Sequence, residues 1–199
     1  MKGIELPVLI KDILGQRPPR GIENRGSEIR HAAVLVPLFE SHGAYHVLLT
    51  KRTNRVDAHK GQISFPGGAV DEGDRSFRET ALREAHEEIG LRPEDVTILG
   101  QTDDARTLAS NFVIHPFVGL IPYPYPFKIS AEEVKKLIEV PFGVFLPDTS
   151  RDRTMPVEYE GKTYKSVAYP YDGEVIWGAT ARIIENLVEI LGEKIDLPA

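Results

Sequence analysis

Three glutamates near the middle of the chain, Glu84, Glu87 and Glu88, have the types and spacing that metal chemistry requires. They lie in the segment Ser76 to Ile89, whose apolar residues recur at helical spacing and therefore predict an amphipathic helix. Each residue advances a helix by about 100°, so the three carboxylates share one face within roughly 100° of arc. Hard oxygen ligands that converge on one point are what Mg²⁺ or Mn²⁺ prefers.

Stability gives no reason for this acidic cluster. Like charges at this spacing cost about 0.2–0.5 kcal/mol per pair, and Arg83 with Glu87 at i,i+4 offsets a similar amount. The alternative interpretation is a solvated acidic helix face, which is common in soluble proteins. The helix alone leaves both interpretations open, so the residues that flank it must decide between them.

A glycine-rich loop leads into the predicted helix. It starts at Gly67-Gly68, and Gly90 is well placed to end the helix. Two acids in the loop, Glu72 and Asp74, are candidates for further metal ligands or for the catalytic base. Two downstream acids, Asp103-Asp104, are equally open to the role of base. The sequence does not choose between these four carboxylates.

A local basic group precedes this loop in a chain whose formal net charge is −6. It consists of Lys51, Arg52, Arg55 and Lys60. Some of these side chains could contact a phosphate, although each could equally be an ordinary surface charge beside a strand end. The acidic balance argues against a nucleic-acid-binding face. For an anionic substrate, a bound divalent cation is the economical way to overcome the negative potential.

The composition is that of a globular protein with a substantial core. Hydrophobic residues make up 41% and charged residues 27% of 199 residues, values typical of one domain. No apolar run is long enough to span a bilayer, and the first residues lack the pattern of a secretory signal. With no cysteine, the chain has no disulfide and no Cys-ligated metal. We therefore expect a cytoplasmic protein without a membrane partner.

The loop and helix together read Gly-x5-Asp-x8-Arg-Glu-Ala-x-Glu-Glu-x-Gly-Leu, which resembles the Nudix box of the Nudix hydrolases. In that family a loop–helix–loop binds divalent cations and the enzyme cleaves a nucleoside diphosphate linked to another group. The resemblance implies Mg²⁺ or Mn²⁺ as cofactor, with Gly68, Glu84, Glu87 and Glu88 at the metal. It also implies that Arg83 acts with these glutamates in catalysis and orients one of them. The i,i+4 geometry suggests Glu87.

Two departures from the usual box point to one branch of the family. Asp74 stands where the box has Glu, and eight residues instead of seven precede Arg83. This form is similar to that of the coenzyme A diphosphatase branch. The segments 48–52 (Leu-Leu-Thr-Lys-Arg), 59–68 (His-Lys-Gly-Gln-Ile-Ser-Phe-Pro-Gly-Gly) and 176–181 (Ile-Trp-Gly-Ala-Thr-Ala) also resemble that branch.

The branch implies a small-molecule substrate, coenzyme A, and the products 3′,5′-ADP and 4′-phosphopantetheine. The residues it places at the substrate are Lys51, Arg52, Lys60, Gly67 and Gly68. The same chemistry could act on ADP-ribose, a dinucleotide or an oxidised nucleoside triphosphate. A ligand-sensing Nudix domain without catalysis is a further alternative, although a sensor has no need of all three glutamates. A homodimer is also possible.

The resemblance implies the Nudix fold, an α/β/α sandwich with a mixed β-sheet and a catalytic loop–helix–loop. We expect a single domain over residues 1–199, with an N-terminal helix and connection in 1–30 and the core in 31–191. Besides the helix of the box, the pattern predicts helices at Val8–Leu14, from Ser130 to about Ile138, and from Glu174 or Val175 to Leu191. It predicts strands at His31–Phe39, Tyr45–Lys51, Gln62–Phe65, Thr97–Gln101, Phe112–Ile121, Phe142–Leu146, Val157–Tyr159 and Tyr164–Ala168.

Overall fold

The computed structural model describes residues 5–22, 29–53, 61–107, 111–147, 154–159 and 161–192. Its helices are α1 (Leu6–Gly15), α2 (Phe77–Ile89) and α3 (Gly178–Leu191). Its strands are β1 (Arg30–Ser41), β2 (Ala44–Arg52), β3 (Ile63–Ser64), β4 (Gly67–Ala69), β5 (Thr97–Gln101), β6 (Ala105–Arg106), β7 (Phe112–Leu120), β8 (Val134–Pro141), β9 (Thr154–Tyr159), β10 (Lys162–Tyr171) and β11 (Glu174–Trp177). None of the helices in these residues has the length and apolar composition that crossing a membrane requires.

The main sheet is mixed and runs in the order β3-β2-β1-β7-β5, with β4 beside β1, β6 beside β7 and β8 beside β2. The central strands β1 and β7 are parallel, from Arg30 opposite Phe112 to Leu38 opposite Leu120. The other pairings of this sheet are antiparallel. A smaller antiparallel sheet contains β9, β10 and β11.

The two faces of the main sheet are covered by different helices. Strand β1 alternates its side chains between two cores, with Val34 and Val36 on one face and Ala33 and Leu35 on the other. The first core packs against α1 and α3, and the second packs against α2. The predicted α/β/α sandwich with a mixed sheet is therefore confirmed, and it places the three glutamates on α2, which covers one face of the main sheet.

Local chemistry fixes both ends of α2. Ser76 is the N-cap, and its side chain accepts a hydrogen bond from the backbone amide of Glu79 at 3.2 Å, which satisfies a free amide of the first turn. Gly90 ends the helix in the left-handed conformation at φ 69°, where a residue without Cβ is favoured. The predicted helix, with Gly90 as its stop, is confirmed.

The predicted helix from Ser130 to Ile138 is wrong. The carbonyl of Ser130 accepts hydrogen bonds from the amides of Glu133 and Val134, so the segment starts with a single turn that does not continue as a helix. Strand β8 follows and pairs antiparallel with β2. Val134 and Ile138 are buried, and their spacing of four residues suits a helix as well as a strand. The segment becomes a strand because it pairs with the edge of β2, which is distant in the sequence.

Two further sequence predictions need correction. Phe142–Phe145 is a 3₁₀-helix rather than a strand, because its two aromatic side chains, three residues apart, both turn into the core. The final helix starts at Gly178, where φ is 67°, instead of at Glu174 or Val175. Residues Glu174–Trp177 form β11 because they pair with β10.

Candidate active site

The glycine pair before the box is required by close packing on two sides. Gly67 has φ 156°, and a Cβ there would stand 2.4 Å from the carbonyl oxygen of Ala33 on β1. A Cβ on Gly68 would stand 2.5 Å from the carboxyl carbon of Glu84. The sequence predicted that a loop starts at this pair, but Gly67–Ala69 is strand β4, paired with β1. The backbone of β4 therefore lies directly against the acidic face of α2.

Arg83 connects the loop of the box to two of the three glutamates. Its Nη1 donates to Glu84 Oε1 at 2.9 Å and to Glu87 Oε2 at 3.0 Å. Its Nη2 donates to the carbonyl oxygen of Ala69 at 3.2 Å, and Nε and Nη2 each lie 3.0 Å from an oxygen of Asp74. One guanidinium group thus fixes the positions of three carboxylates and of strand β4.

Asp74 serves as the anchor for this guanidinium group, a role that the sequence pattern did not indicate. Its side chain is only 6% exposed, and it also accepts hydrogen bonds from the Thr80 hydroxyl and the Asp71 amide. The hydrogen bonds from Arg83 hold the pKa of Asp74 well below its usual range, in spite of burial. Its place in the box, where the family pattern has a carboxylate, was the signal that could have identified it.

We expect Asp74→Asn to destabilise the protein by about 1.5–3 kcal/mol, the value of hydrogen bonds to a charged group. Because the pKa of Asp74 is lowered in the folded state, its carboxylate contributes fully to the free energy of unfolding above pH about 4. This contribution is lost as the pH falls below that value. Thermal melts of wild type and variant should therefore converge under acidic conditions. Asp71→Asn, which changes an exposed residue of the same loop, is the control. If it lowered the melting temperature as much as Asp74→Asn does, the anchor role of Asp74 would be contradicted.

Glu88 is the most deeply buried of the three glutamates, at 1% exposure. Its Oε1 accepts a hydrogen bond from Arg52 Nη1 at 3.0 Å, while its Oε2 is buried and has no hydrogen-bond partner among the described residues. Burial raises the pKa of Glu88 to about 7, against the opposing charge of Arg52. The neighbouring carboxylates of Glu133 and Glu84 add to this increase.

A sequence profile of the NUDIX domain matches residues 29–150 of this chain, the part that carries the loop, α2 and the main sheet. The chain belongs to the Nudix family. It is 41% identical to an uncharacterized Nudix hydrolase NudL of Pectobacterium atrosepticum over 160 residues, which are 79% of this chain and 81% of that protein. It is 38% identical to the NudL of Enterobacter sp. over 184 residues, 92% of this chain and 91% of that protein.

The solved structures agree on the fold. A MutT/nudix family protein from Enterococcus faecalis superposes with a TM-score of 0.53 over 89% of this chain and 71% of that one, at 15% identity. Family membership makes the protein a Nudix hydrolase, an enzyme that acts on phosphoric anhydrides. Its substrates are small-molecule nucleotides in which a nucleoside diphosphate is linked to another group.

The carboxylates of the Nudix box are held by arginines in this structure. Within the described residues, no group of three or more acidic or histidine side chains is arranged to hold a metal ion, since Arg83 engages Glu84 and Glu87 and Arg52 engages Glu88. The donor set nevertheless fits a hard divalent cation, which takes carboxylate and carbonyl oxygens. The unpaired Oε2 of Glu88 is such a donor.

The predicted substrate-binding cations separate in the Nudix fold. Arg52 points toward α2 and contacts Glu88. Lys51, its neighbour on β2, points to the opposite face, and its Nζ lies 2.7 Å from both carboxylate oxygens of Glu174. Lys60, with His59 and Arg55, lies outside the described residues. Of the two members of the basic group that the structure describes, Arg52 lies at the acidic face of α2 and Lys51 does not.

The downstream acids considered as catalytic base are engaged elsewhere in the Nudix scaffold. Asp103 is paired with Arg17 and accepts a hydrogen bond from Asn186 of α3 at 3.1 Å. Asp104 Oδ1 lies 2.8 Å from Nδ1 of the buried His115. These contacts tie the N-terminal segment and α3 to the sheet, which is a structural role.

Proposed function

We propose that this Nudix hydrolase cleaves the diphosphate of coenzyme A, with Mg²⁺ or Mn²⁺ bound, and releases 3′,5′-ADP and 4′-phosphopantetheine. The observation that supports the chemistry is the buried carboxylate of Glu88, with its unpaired oxygen, beside the Gly67-Gly68 backbone and Glu84. The similarity of segments 48–52 and 59–68 to the coenzyme A diphosphatase branch supports the substrate. The two NudL relatives, at 41% and 38% identity, are uncharacterized and therefore do not indicate a substrate.

The residues that would hold the cation are Glu84, Glu87 and Glu88, with a backbone carbonyl near Gly68. When bound there, the cation would lower the pKa of a water molecule and neutralise charge on the phosphoryl oxygens. Arg83 keeps Glu84 and Glu87 in place through charged hydrogen bonds. Such fixed positions matter because phosphoryl transfer depends on positioning and electrostatic stabilisation more than on covalent chemistry.

The chain's own packing provides the surface for the diphosphate. The Glu84 carboxyl group fills the space that a Cβ on Gly68 would take, so the backbone of β4 and this carboxylate lie side by side at the candidate site. Arg52, at the end of β2, supplies positive charge on the same face. We assign Lys51 and Lys60 to the remainder of the substrate, where a 3′-phosphate distinguishes coenzyme A from dephospho-coenzyme A.

We expect kcat/KM to favour coenzyme A over dephospho-coenzyme A by about tenfold to a hundredfold, because a hydrogen bond between charged groups contributes roughly 1.5–3 kcal/mol. Replacement by Ala of the one lysine that contacts the 3′-phosphate, Lys51 or Lys60, should erase most of this preference and leave hydrolysis of dephospho-coenzyme A unchanged. Arg52→Ala does not test this contact, because Arg52 also pairs with Glu88. Its loss should slow the hydrolysis of both substrates. Both substrates must be compared at one ionic strength, since salt screens exposed contacts.

A panel of diphosphates at fixed Mg²⁺ tests the proposed substrate. It should contain coenzyme A, dephospho-coenzyme A, ADP-ribose, a dinucleotide and an oxidised nucleoside triphosphate. The proposal predicts the highest kcat/KM for coenzyme A. Equal values for coenzyme A and its dephospho form would contradict the phosphate contact, and a preference for ADP-ribose would contradict the substrate. No turnover of any member would favour a ligand-sensing domain. A homodimer stays a prediction that sedimentation can check.

A further inference from the structure

Two histidines on the central strands form a hydrogen-bonded pair outside the Nudix box. His31 is the second residue of β1, and His115 lies on the parallel strand β7. Nδ1 of His31 lies 3.0 Å from Nε2 of His115, and the ring centroids are 5.3 Å apart at an interplanar angle of 17°. A centroid separation this large at such a short nitrogen contact requires the rings to meet edge to edge, nearly in one plane. This is the geometry of a straight N–H···N hydrogen bond.

The carboxylate of Asp104 determines which nitrogen of each ring carries a proton. Asp104 Oδ1 lies 2.8 Å from Nδ1 of His115. Burial lowers the pKa of His115, against the opposing charge of Asp104, so the ring is neutral near pH 7. A carboxylate only accepts hydrogen bonds, so His115 donates from Nδ1 and its Nε2 carries a lone pair. His31 therefore donates from its own Nδ1 to this lone pair.

The middle of this hydrogen-bonded chain is buried and its outer end is exposed. The side chains of His115 and Asp104 are 8% and 7% exposed, whereas His31 is an exposed residue. Strand β1 presents His31 to the ring of His115, and the segment between β5 and β6 presents Asp104. Helix α2 presents the uncharged ring of Phe77. The charges that act on the pKa of His115 are those of Asp104 and His31.

The histidine pair supports both ends of the loop between β4 and α2. Phe77, the first residue of α2, lies flat against His115, with ring centroids 3.6 Å apart and an interplanar angle of 8°. At the other end of the loop, the amide of Val70 donates to the main-chain carbonyl of His31 at 3.1 Å. The loop of the box therefore starts and ends on residues that contact this pair.

The hydrogen-bond pattern allows one extra proton but not two. A first proton on the exposed Nε2 of His31 leaves the bond from its Nδ1 to His115 in place. A second proton must go to Nε2 of His115, where the two rings would then set N–H groups against each other. It would also place a charge in a buried position, which is costly. The two rings must separate in the doubly protonated state.

We propose that His31, His115 and Asp104 form a proton-linked latch that positions the loop of the box and the start of α2. The latch is closed while His115 is neutral and opens when both histidines are protonated. His115 is a positioning residue, because it acts through Phe77 and His31 rather than on the substrate. The proposal goes beyond the proposed function and does not depend on which nucleotide is cleaved.

Nuclear magnetic resonance of the imidazole nitrogens in wild-type protein tests the latch directly. We expect Nδ1 of both histidines to carry a proton at pH about 7.5, with both Nε2 atoms unprotonated. As the pH falls, Nε2 of His31 should be protonated before Nε2 of His115. A proton on Nε2 of either ring at the higher pH, or protonation of His115 first, would overturn the proposal.

The variant His115→Gln separates the hydrogen bonds from the charge. A Gln side chain can donate to Asp104 and accept from His31, but it takes up no proton. His86→Gln, which changes an exposed histidine of α2, is the matched control. Exchange of the Val70 amide with deuterium, corrected for the intrinsic pH dependence of exchange, reports how firmly the loop is held.

Because the folded state lowers the pKa of His115, the latch opens more easily as the pH falls below about 6.5, the ordinary value for histidine. We expect wild type and His86→Gln to lose Val70 protection about tenfold between pH about 7.5 and about 5, and His115→Gln less than about twofold. Equal losses in wild type and His115→Gln would overturn the latch, as would a reduced loss in His86→Gln. The ring measurement uses wild type, so it decides the matter even if His115→Gln does not fold.

Discussion

Glu88→Gln is expected to lower kcat about a hundredfold or more, while the melting temperature of the metal-free protein stays within about 2 °C of wild type. The loss follows because an amide keeps the volume of the side chain but is a poor ligand for a divalent cation. Removal of one fixed electrostatic group from a reaction site commonly costs about 10²–10³ in kcat. The small thermal change corresponds to less than about 1 kcal/mol for a protein of this size.

The reason for the unchanged stability lies in the environment of Glu88. Burial raises its pKa to about 7, and the charges of Glu133 and Glu84 add to this effect. An ionised carboxylate is therefore unfavourable at this position, and a neutral amide removes the like-charge repulsion. The Gln oxygen can still accept the hydrogen bond that Arg52 donates to Glu88, so the loss of one ion pair is offset.

Glu79→Gln provides a matched control on the same helix. Glu79 pairs with Arg75 at the surface near the start of α2, and solvent screening leaves an exposed ion pair of this kind with little effect on stability. The control should retain the kcat of wild type. Near-normal turnover by Glu88→Gln would show that Glu88 is not part of the reaction site, whatever its burial and its place in the box.

The elements set by local chemistry could be predicted from sequence. Helix α2 has an apolar stripe and a terminal glycine, and the structure contains both of these features at the predicted residues. The spacing of Glu84, Glu87 and Glu88 placed them on one face because helical geometry depends only on neighbours along the chain. The long, central strand β1 was found for a similar reason, as its apolar run is buried on both faces.

The errors occur where distant parts of the chain decide the structure. Strand β8 looks like a helix in isolation, and its conformation follows from the edge of β2, more than 80 residues earlier. The contact between Arg52 and Glu88 joins residues 36 positions apart. Glu133 lies near Glu88 only because the turn before β8 is attached to both α2 and β2. No local pattern in the sequence contains these contacts.

One difference could have been anticipated. Lys51 and Arg52 are adjacent on strand β2, and neighbouring side chains of a strand point to opposite faces of the sheet. The structure places Arg52 toward Glu88 and Lys51 toward Glu174. The sequence prediction grouped both residues because of their charge. It overlooked that neighbouring residues of one strand place their side chains on opposite faces of the sheet.

Removal of divalent cations is expected to abolish hydrolysis while leaving the fold intact. The activity should be lost because every proposed role of Glu84, Glu87 and Glu88 depends on a bound cation. The fold should persist because α2 is held by its buried apolar residues and by the Arg83–Asp74 pair, without a metal. The apolar residues of α2 in this core are Ala81, Leu82, Ala85 and Ile89.

The most direct test of metal-dependent hydrolysis is the rate of coenzyme A cleavage by wild-type protein with Mg²⁺, with excess EDTA, and after Mg²⁺ is restored. Product release is followed as 3′,5′-ADP, and circular dichroism is recorded on the same samples to check the fold. We expect turnover with Mg²⁺, none above background with EDTA, and recovery when Mg²⁺ is restored, with an unchanged circular dichroism spectrum throughout. Hydrolysis that continues undiminished in excess EDTA would contradict the metal-dependent site on α2.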